Sequence, residues 1–145
     1  QLLDEPYGWG GLLNNRDCSS FTQDYFAVFG KYLHRNSKAQ ISNGKYLDMS
    51  KLSKKKKKEF MRENGVPFST LVYLKGHIML YIGAKNNEPL VFHNIWSVRL
   101  KDETGRKYRH IIGKATVTTL EPGVGIKDFD EDTNILNRIE GIVIL

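Results

Sequence analysis

Short apolar runs, each bounded by a turn signal, dominate the chain after Gly65 and limit the folds open to it. They are rich in β-branched and aromatic residues, and they cover residues 66–74, 77–83, 90–96 and 111–120. The residues between them are of types that favour tight turns: Lys75-Gly76, Asn86-Asn87 and Gly105. Runs of this length and spacing predict strands joined as hairpins. The second half of the chain is therefore predicted to be an antiparallel sheet.

The first half of the chain has a different periodicity. Four apolar residues recur every four positions: Phe21, Tyr25, Phe29 and Leu33. This spacing predicts an amphipathic helix from Ser19 to about Leu33, preceded by a glycine-rich loop at residues 7–11. A helix followed by a sheet indicates an α+β fold. At 145 residues the chain is about the size of one domain, and we expect residues 1–145 to form one.

The charge of the chain favours a polyanionic partner. Lys and Arg number 22 against 16 Asp and Glu, which gives a net charge of +6. Nucleic acid, anionic lipid and acidic cell-wall polymer all fit that sign, but no aromatic-interleaved motif accompanies it, so nucleic-acid binding is not predicted. Lys54–Lys58 lie in a segment predicted to be a surface excursion with a helix ending at Gly65. This lysine run is either a solvated face or a site for anionic wall polymer.

Membrane insertion is not predicted from the sequence. No apolar run approaches the roughly 20 residues that cross a bilayer, and the first residues lack the basic and apolar regions of a signal peptide. Because the chain begins with Gln1 rather than Met, we expect a piece of a longer protein whose export segment lies upstream.

Cys18 is the only cysteine, so the chain has no internal disulfide. A lone cysteine is most often a buried, inert residue. Cys18, however, stands at the start of the predicted helix, directly after Asp17, a residue type that caps helices. A thiol in the first turn of a helix has its thiolate stabilised by the helix dipole. The position therefore predicts a lowered pKa and a nucleophilic role.

Two of the four histidines, His77 and His93, lie within predicted strand runs, whereas His34 and His110 are predicted to be exposed. Neighbouring strands would bring His77 and His93 to one face, where His93 can orient the His77 ring by a hydrogen bond. Cysteine at a helix start with histidine on a strand is typical of papain-like enzymes. Structural zinc needs four protein ligands, and the spacing supplies no such set, so neither a metal nor a cofactor is predicted.

Four spaced motifs carry a resemblance to a known family: Pro6-Tyr7-Gly8-Trp9-Gly10-Gly11, Arg16-Asp17-Cys18-Ser19-Ser20-Phe21, Gly76-His77-Ile78 and His93-Asn94-Ile95-Trp96. Together they resemble the NlpC-type bacterial cell-wall peptidases, a papain-like clan. The resemblance implies a helix that carries the nucleophile packed on a mostly antiparallel sheet. It also implies Cys18 as nucleophile, His77 as base and His93 as the residue that orients His77.

The same resemblance implies a substrate and a site for it. Family members cleave peptidoglycan stem peptides, typically between γ-D-glutamate and a diamino acid such as meso-diaminopimelate. Five residues match positions that form the substrate pocket: Tyr7, Asp17, Ser19, Arg35 and Ser37. Asp17 would pair with a free L-alanine amine. Two positions depart from the family pattern, because His34 replaces a proline and Ser20 replaces a glycine.

Two alternative functions stay open from the sequence. One is an amidase or acyltransferase of the same clan, which would use the same cysteine and histidine on another carbonyl. The other is a non-catalytic, basic wall-binding module. If the resemblance holds, the protein works in the periplasm or outside the cell, and related chains often carry wall-binding domains upstream of the catalytic one.

Overall fold

A computed structural model describes residues 2–145, and its centre is one six-stranded sheet. The strands are β1 (Lys45–Asp48), β2 (Thr70–Leu74), β3 (His77–Lys85), β4 (Glu88–Lys101), β5 (Lys107–Thr119) and β6 (Ile139–Ile144). Their order across the sheet is β1-β6-β2-β3-β4-β5, and every neighbouring pair is antiparallel. The predicted α+β class and antiparallel sheet are confirmed.

Hairpins connect β2 to β3, β3 to β4 and β4 to β5, as the turn signals predicted. Gly76 has a φ of 83°, and Asn86 and Asn87 have φ values of 52° and 65°. These are left-handed conformations that tight hairpin turns require and that glycine and asparagine tolerate. β1 and β6 lie outside the predicted runs, and β6 fills the position between β1 and β2.

Three helices complete the fold: α1 (Cys18–Ala27), α2 (Lys54–Asn64) and α3 (Ile135–Arg138). Shorter 3-10 turns occur at Trp9–Asn14, Ala39–Asn43 and Glu131–Thr133. The predicted extent of the first helix is wrong at its end, because α1 stops at Ala27 and Gly30 turns the chain with a φ of 69°. Phe29, predicted to lie on the buried stripe, is 69% exposed.

The sheet has a buried core on each face. On one face the core comprises residues of α1 and the central strands, among them Cys18, Phe26, Leu71, Ile78 and Val143. On the other face it comprises residues of α2, α3 and the same strands, among them Met61, Val72, Met79, Leu136 and Ile142. No helix within residues 2–145 is both long enough and apolar enough to cross a membrane.

The lysine run begins α2, which ends at Gly65 as predicted. Its interpretation as a solvated face is wrong for Lys57, which is 2% exposed and whose Nζ donates to the carbonyl oxygens of Leu136, Asn137 and Ile139. Those carbonyls lie at the end of α3, where helical carbonyls lack partners within the helix. Lys57 therefore joins α2 to α3.

Candidate active site

Asp17 starts α1 by capping it. Its Oδ1 accepts hydrogen bonds from the backbone N–H groups of Ser19 and Ser20, at 3.1 and 2.9 Å. In return, Ser20 Oγ accepts from the backbone N–H of Asp17 at 3.0 Å. This reciprocal pair is a capping box. It gives Ser20, which stands where the resembled family has glycine, a role within its own helix.

Cys18 occupies the first helical position of α1 and is 7% exposed. Burial raises the pKa of its thiol to about 11, although the backbone N–H groups of Ile78 and Ser19 act in the opposite direction. The predicted lowering of the Cys18 pKa is therefore wrong, because the loss of water around the sulfur outweighs the helix amides. Since Ile78 directly follows His77 in β3, its interaction with the thiol places Cys18 beside the strand position of His77.

The two histidines form the predicted hydrogen bond. His77 is the first residue of β3, and its Nε2 lies 2.8 Å from Nδ1 of His93 in β4. His93 is fully buried, and its Nε2 lies 3.0 Å from Oγ1 of Thr118 in β5. Three neighbouring strands thus supply one continuous chain of hydrogen bonds that ends at His77.

The protons in this chain of hydrogen bonds follow by elimination. Thr118 donates its single hydroxyl proton to the carbonyl oxygen of Thr119 at 2.7 Å, so its oxygen accepts from His93 Nε2. A neutral imidazole carries one proton, so His93 Nδ1 accepts from His77 Nε2. His77 Nδ1 is then left with a free lone pair. This tautomer of His77 is the one that can accept a proton.

Burial keeps both rings neutral. It lowers the pKa of His77 to about 4, with a smaller contribution from the charge of Arg138. Burial lowers the pKa of His93 well below its usual range as well, and the neighbouring His77 adds to that effect. At neutral pH the site therefore holds a thiol and two neutral imidazoles.

Asp17, Ser19 and Arg35 form one hydrogen-bonded cluster next to the thiol. Arg35 donates to both carboxylate oxygens of Asp17, at 3.0 and 2.8 Å, and to Ser19 Oγ at 3.0 Å. Burial alone would raise the pKa of Asp17, but hydrogen bonds from Arg35 and Ser20 outweigh it and lower the pKa to about 2. The carboxylate is therefore ionised throughout the neutral range.

Tyr7 lies near this cluster, because an isolated β-bridge pairs it with Arg16, the residue before Asp17. Burial raises the pKa of its hydroxyl, and interactions with Cys18 and Asp17 add to that effect. The Tyr7 ring contacts Trp9 and Trp96, with centroid distances of 5.1 and 5.9 Å. Tyr7 thus connects the carboxylate cluster to an aromatic wall.

Ser37 is the one predicted pocket residue that the structure does not bring into this cluster. It is partly exposed, and none of the side-chain hydrogen bonds within residues 2–145 involves it. The same loop is instead held by Gln40, which is buried and donates to the carbonyl oxygens of Ser19 and His34 at 2.9 and 2.8 Å. Gln40 fixes the loop that carries Arg35 against α1.

Thr118 was missed by the sequence interpretation. Its contact with His93 depends on strand register, because β4 and β5 pair His93 with Thr116 and Val91 with Thr118. Thr118 is therefore a diagonal neighbour of His93 on the same face of the sheet. Alternating threonines in residues 116–119 are the signal that could have suggested such a partner, once the register is known.

Comparisons with known proteins identify the family and the fold of the chain. The model of the NlpC/P60 family matches residues 4–115. A solved structure described as a novel NlpC/P60 endopeptidase from Photobacterium damselae subsp. piscicida is similar, with a TM-score of 0.85 and 27% sequence identity. The similarity covers 99% of this chain and 36% of that one, so this chain spans little more than a third of its neighbour's length. Among curated proteins no match was found.

Proposed function

The chain belongs to the NlpC/P60 family, and we propose that it is a cysteine peptidase that hydrolyses peptidoglycan stem peptides. The bond we propose lies between γ-D-glutamate and a diamino acid. The observation that carries this proposal is the position of Cys18 at the start of α1, next to a histidine whose free lone pair is fixed by His93 and Thr118. Nucleophilic cysteine catalysis requires such a pair of thiol and base.

Acylation begins from the neutral pair. His77 Nδ1 accepts the thiol proton as the Cys18 sulfur attacks the γ-D-glutamyl carbonyl carbon. The backbone N–H of Cys18, which has no acceptor within the first turn of α1, donates to the oxyanion. When the tetrahedral intermediate collapses, the C–N bond breaks, His77 returns the proton to the leaving amine and a thioester remains.

Deacylation uses the same residues. His77 Nδ1 takes a proton from water, and the resulting hydroxide attacks the thioester carbonyl carbon. The C–S bond breaks and the thiolate regains its proton from His77. His93 keeps the ring oriented through both steps, because its Nδ1 accepts from His77 Nε2 at 2.8 Å.

Asp17, Ser19, Arg35 and Tyr7 are the residues we assign to the acyl side of the substrate, with Ser37 at its outer edge. Asp17 remains a carboxylate at neutral pH and lies near the thiol. It is suited to bind the free amine of an N-terminal L-alanine. Acetylating that amine should therefore raise KM. An unchanged KM would show that Asp17 does not bind the amine.

The same function places the protein in the cell envelope, where its substrate is found. Residues 1–145 would serve as one catalytic domain, attached in longer chains to domains that bind the wall.

Mass spectrometry of L-Ala-γ-D-Glu-meso-diaminopimelate, after incubation with wild type and with Cys18→Ala, tests this function. We expect wild type to release the diamino acid and Cys18→Ala to release none, while both variants melt at similar temperatures. Hydrolysis by Cys18→Ala would exclude the thiol as nucleophile. Release of L-alanine or transfer to an added amine would indicate the amidase or acyltransferase alternative.

A further inference from the structure

A cleft of about 190 Å³ lies directly beside His77. Its lining includes the aromatic residues Tyr7, Trp9 and Trp96 and residues of α3. Cys18, Asp17 and Arg35 do not line it, so it is separate from the carboxylate cluster described above. Tyr7 lines the cleft and also borders that cluster, and His77 lines the cleft from the strand position beside Cys18.

Three arginines line this cleft: Arg99, Arg109 and Arg138. None of the ion pairs within residues 2–145 involves them. Arg109 donates to Ser97 Oγ at 3.0 Å, and Arg138 donates to the Lys75 carbonyl oxygen at 3.4 Å. Each guanidinium has five N–H donors, so most of them are unused. The cleft therefore presents uncompensated positive charge suited to an anion.

The chemistry of the reaction says which part of a substrate enters this cleft. The base that accepts the thiol proton is also the group that protonates the departing amine. The leaving group must then lie next to His77, on the side opposite the residues that hold the acyl part. Asp17 and Arg35 hold that acyl part under the proposed function, so the cleft with the three arginines receives the leaving group.

We propose that this cleft binds the side-chain carboxylate of the leaving diamino acid through Arg99, Arg109 and Arg138. The assignment rests on the proposed function and deepens it. Planar guanidinium groups pair with carboxylates through two parallel hydrogen bonds. meso-Diaminopimelate fits this site because its side chain carries a carboxylate on the same carbon as its ammonium group. The lysine side chain ends in the ammonium group alone, with no carboxylate to pair with the three cations.

Paired substrates test the assignment: L-Ala-γ-D-Glu followed by meso-diaminopimelate, by diaminopimelate amidated at its side-chain carboxyl group, or by L-lysine. We expect wild type to cleave the first with a kcat/KM at least about tenfold above the other two, the effect of one charged hydrogen bond. Arg99→Gln, Arg109→Gln and Arg138→Gln should each reduce that preference. Lys55→Gln, which removes an exposed charge from α2, should keep it.

Binding of the same three peptides to Cys18→Ala, measured by calorimetry, separates the cleft assignment from turnover. Tighter binding of the acid than of the amide, lost in Cys18→Ala/Arg138→Gln, would support the arginine site even if wild type cleaved nothing. Absence of turnover would in that case count against the proposed function alone. Equal binding and equal cleavage of acid, amide and lysine peptides would overturn the assignment.

Discussion

The lysine run of α2 and the arginines of the cleft are both strongly basic, yet the fold uses them in opposite ways. Lys54 pairs with Glu121 and Glu131, and Lys58 pairs with Glu88 and Glu121. Lys57 lies between them and is buried against backbone carbonyls.

The three cleft arginines have no such acidic partners within residues 2–145. Charge compensated inside the fold contributes to stability, whereas uncompensated charge beside a reactive group is available to a ligand. The comparison predicts that substitutions in α2 change the free energy of unfolding and that substitutions around the cleft change the reaction.

The largest effect is expected at Lys57. Lys57→Met keeps the apolar stem but removes the donor shared by three carbonyl oxygens, which should lower the free energy of unfolding by on the order of 3 kcal/mol. Lys55→Met changes an exposed residue of the same helix and is the matched control. Urea denaturation of both variants measures the difference. Equal stabilities would mean that the buried ammonium group contributes nothing, and the contrast between the two regions would fail.

Thr118 extends the comparison to a neutral residue that contacts His93, the partner of His77. Thr118→Val removes the acceptor of the His93 proton, so His93 is no longer held in the tautomer that orients His77. We expect kcat to fall about tenfold, the value of one hydrogen bond, with little change in KM or melting temperature. Thr118→Ser should restore kcat. A fall in melting temperature with unchanged kcat would assign Thr118 a purely structural role.

A smaller effect is expected for the ion pair between Lys58 and Glu121. The pair is half-buried at 2.8 Å, and a double-mutant cycle with Lys58→Gln and Glu121→Gln should give a coupling of about 0.5 kcal/mol. The coupling should weaken in high salt. These variants should retain wild-type kcat/KM, and a loss of activity would link α2 to the reaction.

The smallest expected effect is a shift in the pH profile of kcat/KM in the variant Arg138→Gln. The free lone pair of His77 is lost on protonation, so wild-type kcat/KM should fall as the pH decreases through about 4. The positive charge of Arg138 disfavours the imidazolium, and its removal in Arg138→Gln should raise the pKa of His77. The acidic limb of the profile then moves to higher pH. Profiles that coincide with that of Lys55→Gln would contradict this electrostatic coupling.

Local patterns predicted those parts of the fold that local physics decides. Turn residues located the three hairpins, and a cap residue located the start of α1 at Asp17–Cys18. The end of α1 was misjudged because a period of four continued across Gly30, where the left-handed turn breaks the helix. β6 was not predicted because its position inside the sheet is set by pairing with β1 and β2, which are distant in sequence.

The candidate site likewise has features that local patterns predict and features that depend on the tertiary fold. The hydrogen bond between His77 and His93 could be anticipated, since both lie in consecutive strand runs joined by a short turn. The pKa of Cys18 could not, because desolvation depends on the whole core around α1. The grouping of the cleft arginines could not be predicted either. Arg138 lies in α3, far in sequence from Arg99 and Arg109, and only the tertiary fold brings it to the same cleft.

The position of β6 between β1 and β2 determines when the sheet can form during translation. Ile139–Ile144 join β1 to β2 in the sheet, and the carbonyl oxygens that hold Lys57 belong to residues 136–139. While the ribosome is still making that segment, β1 has no neighbour and the edge of β2 is open. The sheet that supports the thiol and the histidines can therefore close only after Ile144 has emerged, which delays the complete fold until synthesis has passed that point.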